Sequence, residues 1–358
     1  MIPAWKIKRE LKRIVMQIAS IPWFAISPIA KRHYDRKKEQ YITVTEGRLP
    51  YSTDVAILLI FQPSGLLDST FHTLDHFKAR GIAPLVVSNA PLSESDKSRL
   101  SHYAWRIIER PNFGYDFGGY RDGILYLLDA GHELTHLYVM NDSIWFPLED
   151  DSDLIDEARQ TDADLFGFTL NNRVRGDHRR HIQSYFFAFG GKLVGSADFE
   201  AHWRGLFLTN NKNLVVRRCE IPMTEEFRSR GYSVKFRHTY ADGAEALKAL
   251  DNATLKRIIE YQIRVDTGSA PRLERHLKTD TLDDAWRAGV MEDVERGIFE
   301  KYFLVMHPEV LIRQLHSPLL KKDRQEIYQL QRRELISCGL DENFADVVRD
   351  EIRRWDAK

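Results

Sequence analysis

Asn112, Gly114, Asp116, Gly118 and Arg121 stand in one short stretch, and Asn141, Asp142 and Ser143 follow after room for one helix and one strand. An amide, a carboxylate and a guanidinium set among glycines suit a ligand-binding loop. Asn112 and Asp116 can hydrogen-bond a base or a sugar hydroxyl, Arg121 can neutralise a phosphate, and glycines let the backbone approach a ligand closely. In open α/β sheets ligands bind beyond the carboxyl ends of strands, and both segments are expected at such ends, so they should converge on one pocket. Taken singly each residue has a plainer role: Asn-x-Gly is a turn, and Asp116 can cap the helix that follows.

A third segment, His181-Ile-Gln183-Ser-Tyr185, leaves a loop and enters a strand, so His181, Gln183 and Tyr185 share one face. That face is expected to line the cleft, with Arg179, Arg180 and His181 as cationic helpers beside Arg121. Trp145 is the aromatic residue expected beside the cleft, where a ring can stack on a flat ligand face.

The elements that must position these residues are legible as alternating strands and helices from Asp54 onward, the mark of βαβ units and a mainly parallel sheet. Strands are expected at Val55–Phe61, Ile82–Asn89, Trp105–Glu109, Leu137–Met140, Leu165–Thr169, Tyr185–Phe189 and Val234–His238. Helices are expected at Leu66–Arg80, Ser93–Tyr103, Tyr120–Ala130, Asp151–Gln160 and through much of 198–232, with a helical region from about Asn252. The glycine cluster does not follow GxGxxG and comes after a late strand, which argues against a dinucleotide-binding oxidoreductase.

The 358 residues carry 52 basic and 52 acidic side chains, so no overall charge draws the chain to nucleic acid. Residues 1–40 nevertheless hold ten Lys/Arg against three Asp/Glu. Trp5, Ile7, Leu11, Ile14, Val15 and Ile18 recur at helical spacing there, with Lys6, Lys8, Arg9, Lys12 and Arg13 mostly on other faces, giving a basic amphipathic helix. The apolar stretch from Ile14 to Ala30 is broken by Gln17, Ser20, Pro22, Ser27 and Pro28 and falls short of the ~20 apolar residues a spanning helix needs. Attachment to an anionic membrane surface is the functional expectation, with Trp23 and Phe24 at the interface; an arm packed on its own domain is the alternative. Cys219 and Cys338 lie far apart with no metal-ligand spacing, which suggests neither a disulfide nor a zinc site.

Four strings, "NFGYDFGGYRDGI", "MNDSIWFP", "HIQSYFFAF" and "EIPMTEEFRSRGY", resemble the rhamnan synthesis protein F family in sequence and in order. The resemblance covers residues 54–240 well and the remainder weakly. It implies an α/β fold of the glycosyltransferase A type, Rossmann-like, with a single mainly parallel sheet flanked by helices. Residues 1–52 would form the basic arm, 53–250 the nucleotide-sugar-binding domain and 251–358 a helical C-terminal region.

The activity so implied is inverting transfer of rhamnose or another deoxyhexose from a nucleoside-diphosphate donor to a lipid-linked glycan such as O-antigen; the basic helix and the two unpaired cysteines add the expectation of a cytoplasmic location on the inner face of the plasma membrane. The resemblance puts the acceptor-side acid at Glu220, which would take the acceptor's proton; Glu225 and Glu226 are the alternatives, although in the first turn of a helix a carboxylate commonly serves only to complement its dipole. Relatives of this fold hold Mg²⁺ or Mn²⁺ on Asp-x-Asp, whereas here the triplet is Asn141-Asp142-Ser143, leaving Asp142 as the one carboxylate and putting metal dependence in doubt. His307 stands where such relatives have a late metal-ligating histidine. The reduced triplet also admits a second reading, a transferase-like scaffold without catalysis in a polysaccharide-assembly complex.

Overall fold

The computed structural model describes residues 4–173 and 179–356, with side chains from Ile21 onward. The side chains from Trp5 to Ile18 and the middle of the loop between Asn171 and His181 therefore lie outside the described residues.

The strands are β1 (Thr43–Glu46), β2 (Asp54–Ile60), β3 (Ala83–Ser88), β4 (Arg106–Glu109), β5 (His136–Asn141), β6 (Ile144–Trp145), β7 (Leu165–Asn171), β8 (His181–Ile182), β9 (Phe186–Gly190), β10 (Val234–Thr239) and β11 (Leu320–Lys321). The large sheet has the order β1-β4-β3-β2-β5-β9-β7-β10, with β8 beside β7, and β6 pairs with β11 in a separate ribbon. Strands β4, β3, β2 and β5 are mutually parallel, as are β7 and β10. Strands β1, β8 and β9 run antiparallel to their neighbours. The expected single, mainly parallel sheet is thus corrected to a large mixed sheet flanked by helices, with a second small ribbon. A parallel neighbour needs a crossover helix, and among the described residues none lies between β7 and β9. An apolar run such as Phe186–Phe189 carries no sign of its direction.

Alternation with period two divides the core. Val55, Ile57 and Leu59 of β2 and Leu137 and Val139 of β5 face one layer; Ala56, Leu58, Ile60, Tyr138 and Met140 face the other. Both faces are apolar because both are covered. The first layer is closed by helices Tyr115–Asp129 and Ala197–Gly205 and by Tyr34 of the N-terminal helix. The second is closed by helices Asp68–Ala79 and Leu154–Gln160 and by the region after residue 250, from Leu255 through Ile352.

The N-terminal helix is one element, Ala4–Tyr41, that passes through both Pro22 and Pro28. Its end is fastened by two ion pairs and a hydrogen bond. Arg121 Nη1 lies 2.8 Å from Asp35 Oδ1, Lys38 Nζ 3.2 Å from Asp129 Oδ2, and the Tyr34 hydroxyl donates to Asp122 Oδ2 at 2.5 Å. Among the described residues no helix is long and apolar enough to cross a membrane.

Candidate functional site

Helix Tyr115–Asp129 begins five residues earlier than its apolar spacing predicts, and Gly114 sets the start with φ +82°, a left-handed conformation that glycine adopts without strain. The glycines inside it serve packing. A β-carbon at Gly119 would lie 2.3 Å from Leu59 Cδ1, one at Gly123 3.0 Å from Val87, and one at Gly118 2.0 Å from the Phe113 carbonyl oxygen. The helix therefore lies down on β2 and β3, and its first turn is delivered to their carboxyl ends.

At that rim a cavity of about 330 Å³ is lined by Asp116, Asn141, Ser143, Gln183, Ser184, Tyr185, Lys212, Glu220, Lys321 and Asp323, with Tyr115, Tyr240, Tyr302 and Tyr328 as its aromatic walls. It opens where the strand order reverses between β2 and β5, the crevice in which α/β sheets hold ligands. Because β9 is antiparallel, its start lies at the same rim as the end of β5: Phe186 pairs with Met140, and Gln183 to Tyr185 come just before.

Asn141 Nδ2 donates to Asp116 Oδ2 at 3.2 Å, and Asn141 Oδ1 accepts from the Ser143 N–H, also at 3.2 Å, and from its hydroxyl. Lys321 Nζ donates to Ser143 Oγ at 2.7 Å. This lysine is delivered by β11, whose Lys321 pairs with Ile144 of β6. Glu220 closes a π-helical turn, Val216–Glu220, that leads into helix Ile221–Ser229. Pro222 has no N–H to give to the carbonyl four residues back, so the chain widens there. Glu220 Oε1 accepts the Ser184 N–H at 3.1 Å, while the Ser184 carbonyl accepts from the Tyr120 hydroxyl at 2.8 Å, so the backbone of one residue ties this turn to helix Tyr115–Asp129.

Asp116 is exposed to the cavity, with the charges of Lys321, Asp142, Lys212 and Glu220 acting on its carboxylate. Desolvation raises its pKa, the Lys321 ammonium opposes that rise, and the Asp142 charge adds to it. Water in the open cleft moderates the desolvation. Burial lowers the pKa of Lys321, and the charges of Asp116 and then Glu220 hold it up. The Tyr185 hydroxyl, buried and donating to Thr169 Oγ1 at 2.8 Å, is pushed well above the ordinary tyrosine range by desolvation. Burial first, and then Glu220, push the Cys219 thiol up to about 12, which removes it as a nucleophile.

Of the residues singled out from sequence, Asp116, Asn141, Ser143, Gln183, Tyr185 and Glu220 meet at the cavity. Asp142 is adjacent but turned to the end of β2, where its Oδ2 accepts from the Phe61 N–H and from Gln62 Nε2, each at 2.9 Å. Asn112 accepts from Asn89 Nδ2 at 3.1 Å, beside the rim. Arg121 is not in the cavity: its side chain is buried against Asp35 and the Trp203 carbonyl. Trp145 is fully buried, packed edge-on to Trp355 and donating to Glu351 Oε1 at 2.8 Å, so it is a core residue. His181 is buried with Nδ1 2.8 Å from the Arg179 carbonyl, away from the lining.

His307 is buried among the C-terminal elements. Its Nδ1 accepts the Glu309 N–H at 3.1 Å, which leaves the ring proton on Nε2, 3.3 Å from Glu334. His307, Glu334 and Cys338 approach one another closely enough to hold an ion, but a metal on Nε2 needs the proton on Nδ1, where the backbone N–H already points.

Lys321, Lys212, Ser184 and the tyrosine walls were missed. The one available signal for Lys321 was a lysine pair, Lys321-Lys322, directly after the apolar Leu319-Leu320 in a region read as helical.

A mixed α/β sheet with a polar, tyrosine-walled cleft at its strand-order reversal defines the class: an α/β protein with carboxylates and ammonium groups in one crevice. The chain belongs to the rhamnan synthesis protein F family, whose model matches residues 85–255, and that family is linked to polysaccharide biosynthesis. It is 38% identical over 356 residues to the uncharacterized protein y4gN of Sinorhizobium fredii, covering 99% of this chain and 93% of that one. It is also 32% identical over 136 residues to the virulence protein VirA of Vibrio anguillarum, covering 37% of this chain and 42% of that one.

Proposed function

We propose that this chain is an inverting glycosyltransferase of the nucleotide-sugar-binding α/β type that adds a deoxyhexose such as rhamnose to a lipid-linked surface polysaccharide. The observation that carries the reading is the convergence of Asp116, Asn141, Ser143, Glu220 and Lys321 on one cleft at the strand-order reversal. The order β4-β3-β2-β5 matches positions 3-2-1-4 of a doubly wound nucleotide-binding sheet, which supports a donor bound across β2 and β5. Family membership supports the polysaccharide product.

In this reading the acceptor hydroxyl oxygen attacks the anomeric carbon from the side opposite the diphosphate. Its proton passes to Glu220, the carbon–oxygen bond to the diphosphate breaks, and the electron pair leaves with the nucleoside diphosphate. The Ser184 N–H holds the Glu220 carboxylate for that task. Tyrosine walls supply faces for the sugar and base.

Release of nucleoside diphosphate, assayed over a panel of nucleotide sugars with a lipid-linked acceptor, tests the proposal. Turnover by the intact chain that disappears in Glu220→Gln supports it. Nucleotide-sugar binding with no turnover on any acceptor favours the scaffold reading, and no binding to any donor ends both.

For location we propose peripheral attachment to an anionic membrane surface on the cytoplasmic side. Ile21, Ile26 and Ile29 are exposed on the N-terminal helix, and at 100° per residue they share an arc of about 140° with Arg32 and Arg36.

A further inference from the structure

The metal expected of the fold does not fit the residues present. Asn141 and Ser143 spend their side chains on each other, on Asp116 and on Lys321. Asp142 turns Oδ2 to the end of β2. Among the described residues the carboxylates of the cleft do not form a cluster of three within ion-holding distance of one another. An ammonium group already stands on the triplet, at Ser143 Oγ.

We infer that the Lys321 ammonium, with Lys212 lining the same cleft, takes the place of a divalent cation and neutralises the diphosphate of the donor, so that this cleft binds a diphosphate without metal. The inference rests on the transferase reading for the identity of the ligand but on geometry for the charge. Lys321 is half-buried in the cleft, 2.7 Å from Ser143 Oγ and 5.6 Å from the centre of the Tyr185 ring, and its position is fixed by β-pairing with Ile144. Lys322 N–H to the Ser143 carbonyl, at 2.8 Å, anchors the next residue to the same triplet. An ammonium held on a paired strand and half withdrawn from water interacts with a phosphate more strongly than a solvated, mobile surface lysine does, because less water screens it. Lys212 is exposed at the mouth and near enough to act on the charges of both Asp116 and Lys321. Since Lys321 comes from beyond residue 300, a chain cut at the end of the βα-alternating region lacks the site.

The test is calorimetric titration of the full chain with inorganic pyrophosphate, once in EDTA and once with Mg²⁺ or Mn²⁺. Equal affinity in both conditions is expected, with a loss of about tenfold or more in Lys321→Met and a smaller loss in Lys321→Arg. Binding that needs the divalent ion, an unchanged affinity in Lys321→Met, or no binding in either condition overturns the inference. Should Lys321→Met fail to fold, the comparison of Lys321→Arg and Lys212→Met with the parent chain carries the same decision. Metal-free pyrophosphate binding without any nucleotide-sugar turnover would sink the transferase reading and leave this inference standing; metal-dependent turnover would do the reverse.

Discussion

Asn141 Nδ2 and Asp116 Oδ2 lie 3.2 Å apart although 25 positions separate them in the chain. This contact joins the end of β5 to the first turn of helix Tyr115–Asp129 and makes one wall of the cleft from two segments that the sequence shows apart. Replacing Asn141 by Asp would set a second carboxylate against Asp116, and like charges at that distance raise a pKa. Asn141→Asp is expected to weaken donor binding and to move the acid limb of the pH profile for binding upward, readable by calorimetry at several pH values.

Glu220 accepts one hydrogen bond from the Ser184 N–H. Glu220→Gln keeps an oxygen for that bond and removes the base, so turnover should fall by about 10²–10⁴-fold. Donor affinity and melting temperature should change little. A Glu220→Gln enzyme with parental turnover would assign proton removal elsewhere, with Asp116 next in place.

Three of the sequence-level expectations failed for one physical reason: a side chain's type does not say which neighbour reaches it first. Arg121 is phosphate chemistry by type, but the N-terminal helix brings Asp35 to it. Trp145 is sugar-stacking chemistry by type, but Glu351 and Trp355 of the C-terminal helix bury it. The glycines of "NFGYDFGGYRDGI" read as ligand approach and serve mainly to let the helix touch Leu59 and Val87. What was legible were the strands β2, β3, β5 and β7, whose apolar runs are long and bounded, and the polar residues at their ends. The two-residue strand that carries Lys321 has no periodicity to detect, and its pairing partner is 177 positions away in sequence, Ile144 against Lys321.

The helix–sheet contact at Gly119 gives a stability prediction. Gly119→Ala inserts a methyl where Leu59 already stands, which should cost about 1–3 kcal/mol in urea unfolding. Leu59→Val in the same chain should return part of that loss. Simple additivity of the two changes would mean that the contact is not the cause.

Asp122 is buried beside Arg110 Nε at 2.6 Å and beneath the Tyr34 hydroxyl at 2.5 Å. Asp122→Ala leaves a buried guanidinium without its partner and should destabilise the fold by about 3–5 kcal/mol. Tyr34→Phe removes one neutral donor only and should cost about 1 kcal/mol. Equal effects from the two would show that the N-terminal helix, rather than the Arg110 charge, depends on Asp122.

His76 supplies the pH dependence. It is buried edge-on to Phe146, and Arg80 Nη1 is 3.0 Å from its Nδ1. Desolvation, then the Arg80 charge, depress its pKa from 6.5 to about 3. The unfolded chain takes up this proton as pH falls below 6.5 and the folded chain does not until about 3, so stability is intact above the upper value and is lost through that window. His76→Gln cannot charge. Its melting temperature should fall less than that of the parent between about pH 7 and pH 4, and parallel curves would refute the assignment.

The exposed isoleucines test the membrane proposal without disturbing the fold. Removing the whole N-terminal helix would also strip Tyr34 from Asp122, so loss of vesicle binding by a chain beginning at Thr53 would mix two causes. Ile21, Ile26 and Ile29 are instead 63%, 54% and 72% exposed. Changing all three to Ser should leave the melting temperature within a degree or so of the parent, because surface changes of this kind are worth about ±0.5 kcal/mol. Co-sedimentation with phosphatidylglycerol-containing vesicles should drop sharply, since each apolar side chain withdrawn from the interface removes burial that the nearby Arg32 and Arg36 alone do not replace. Unchanged sedimentation of the triple variant would end the proposal that this face meets a membrane.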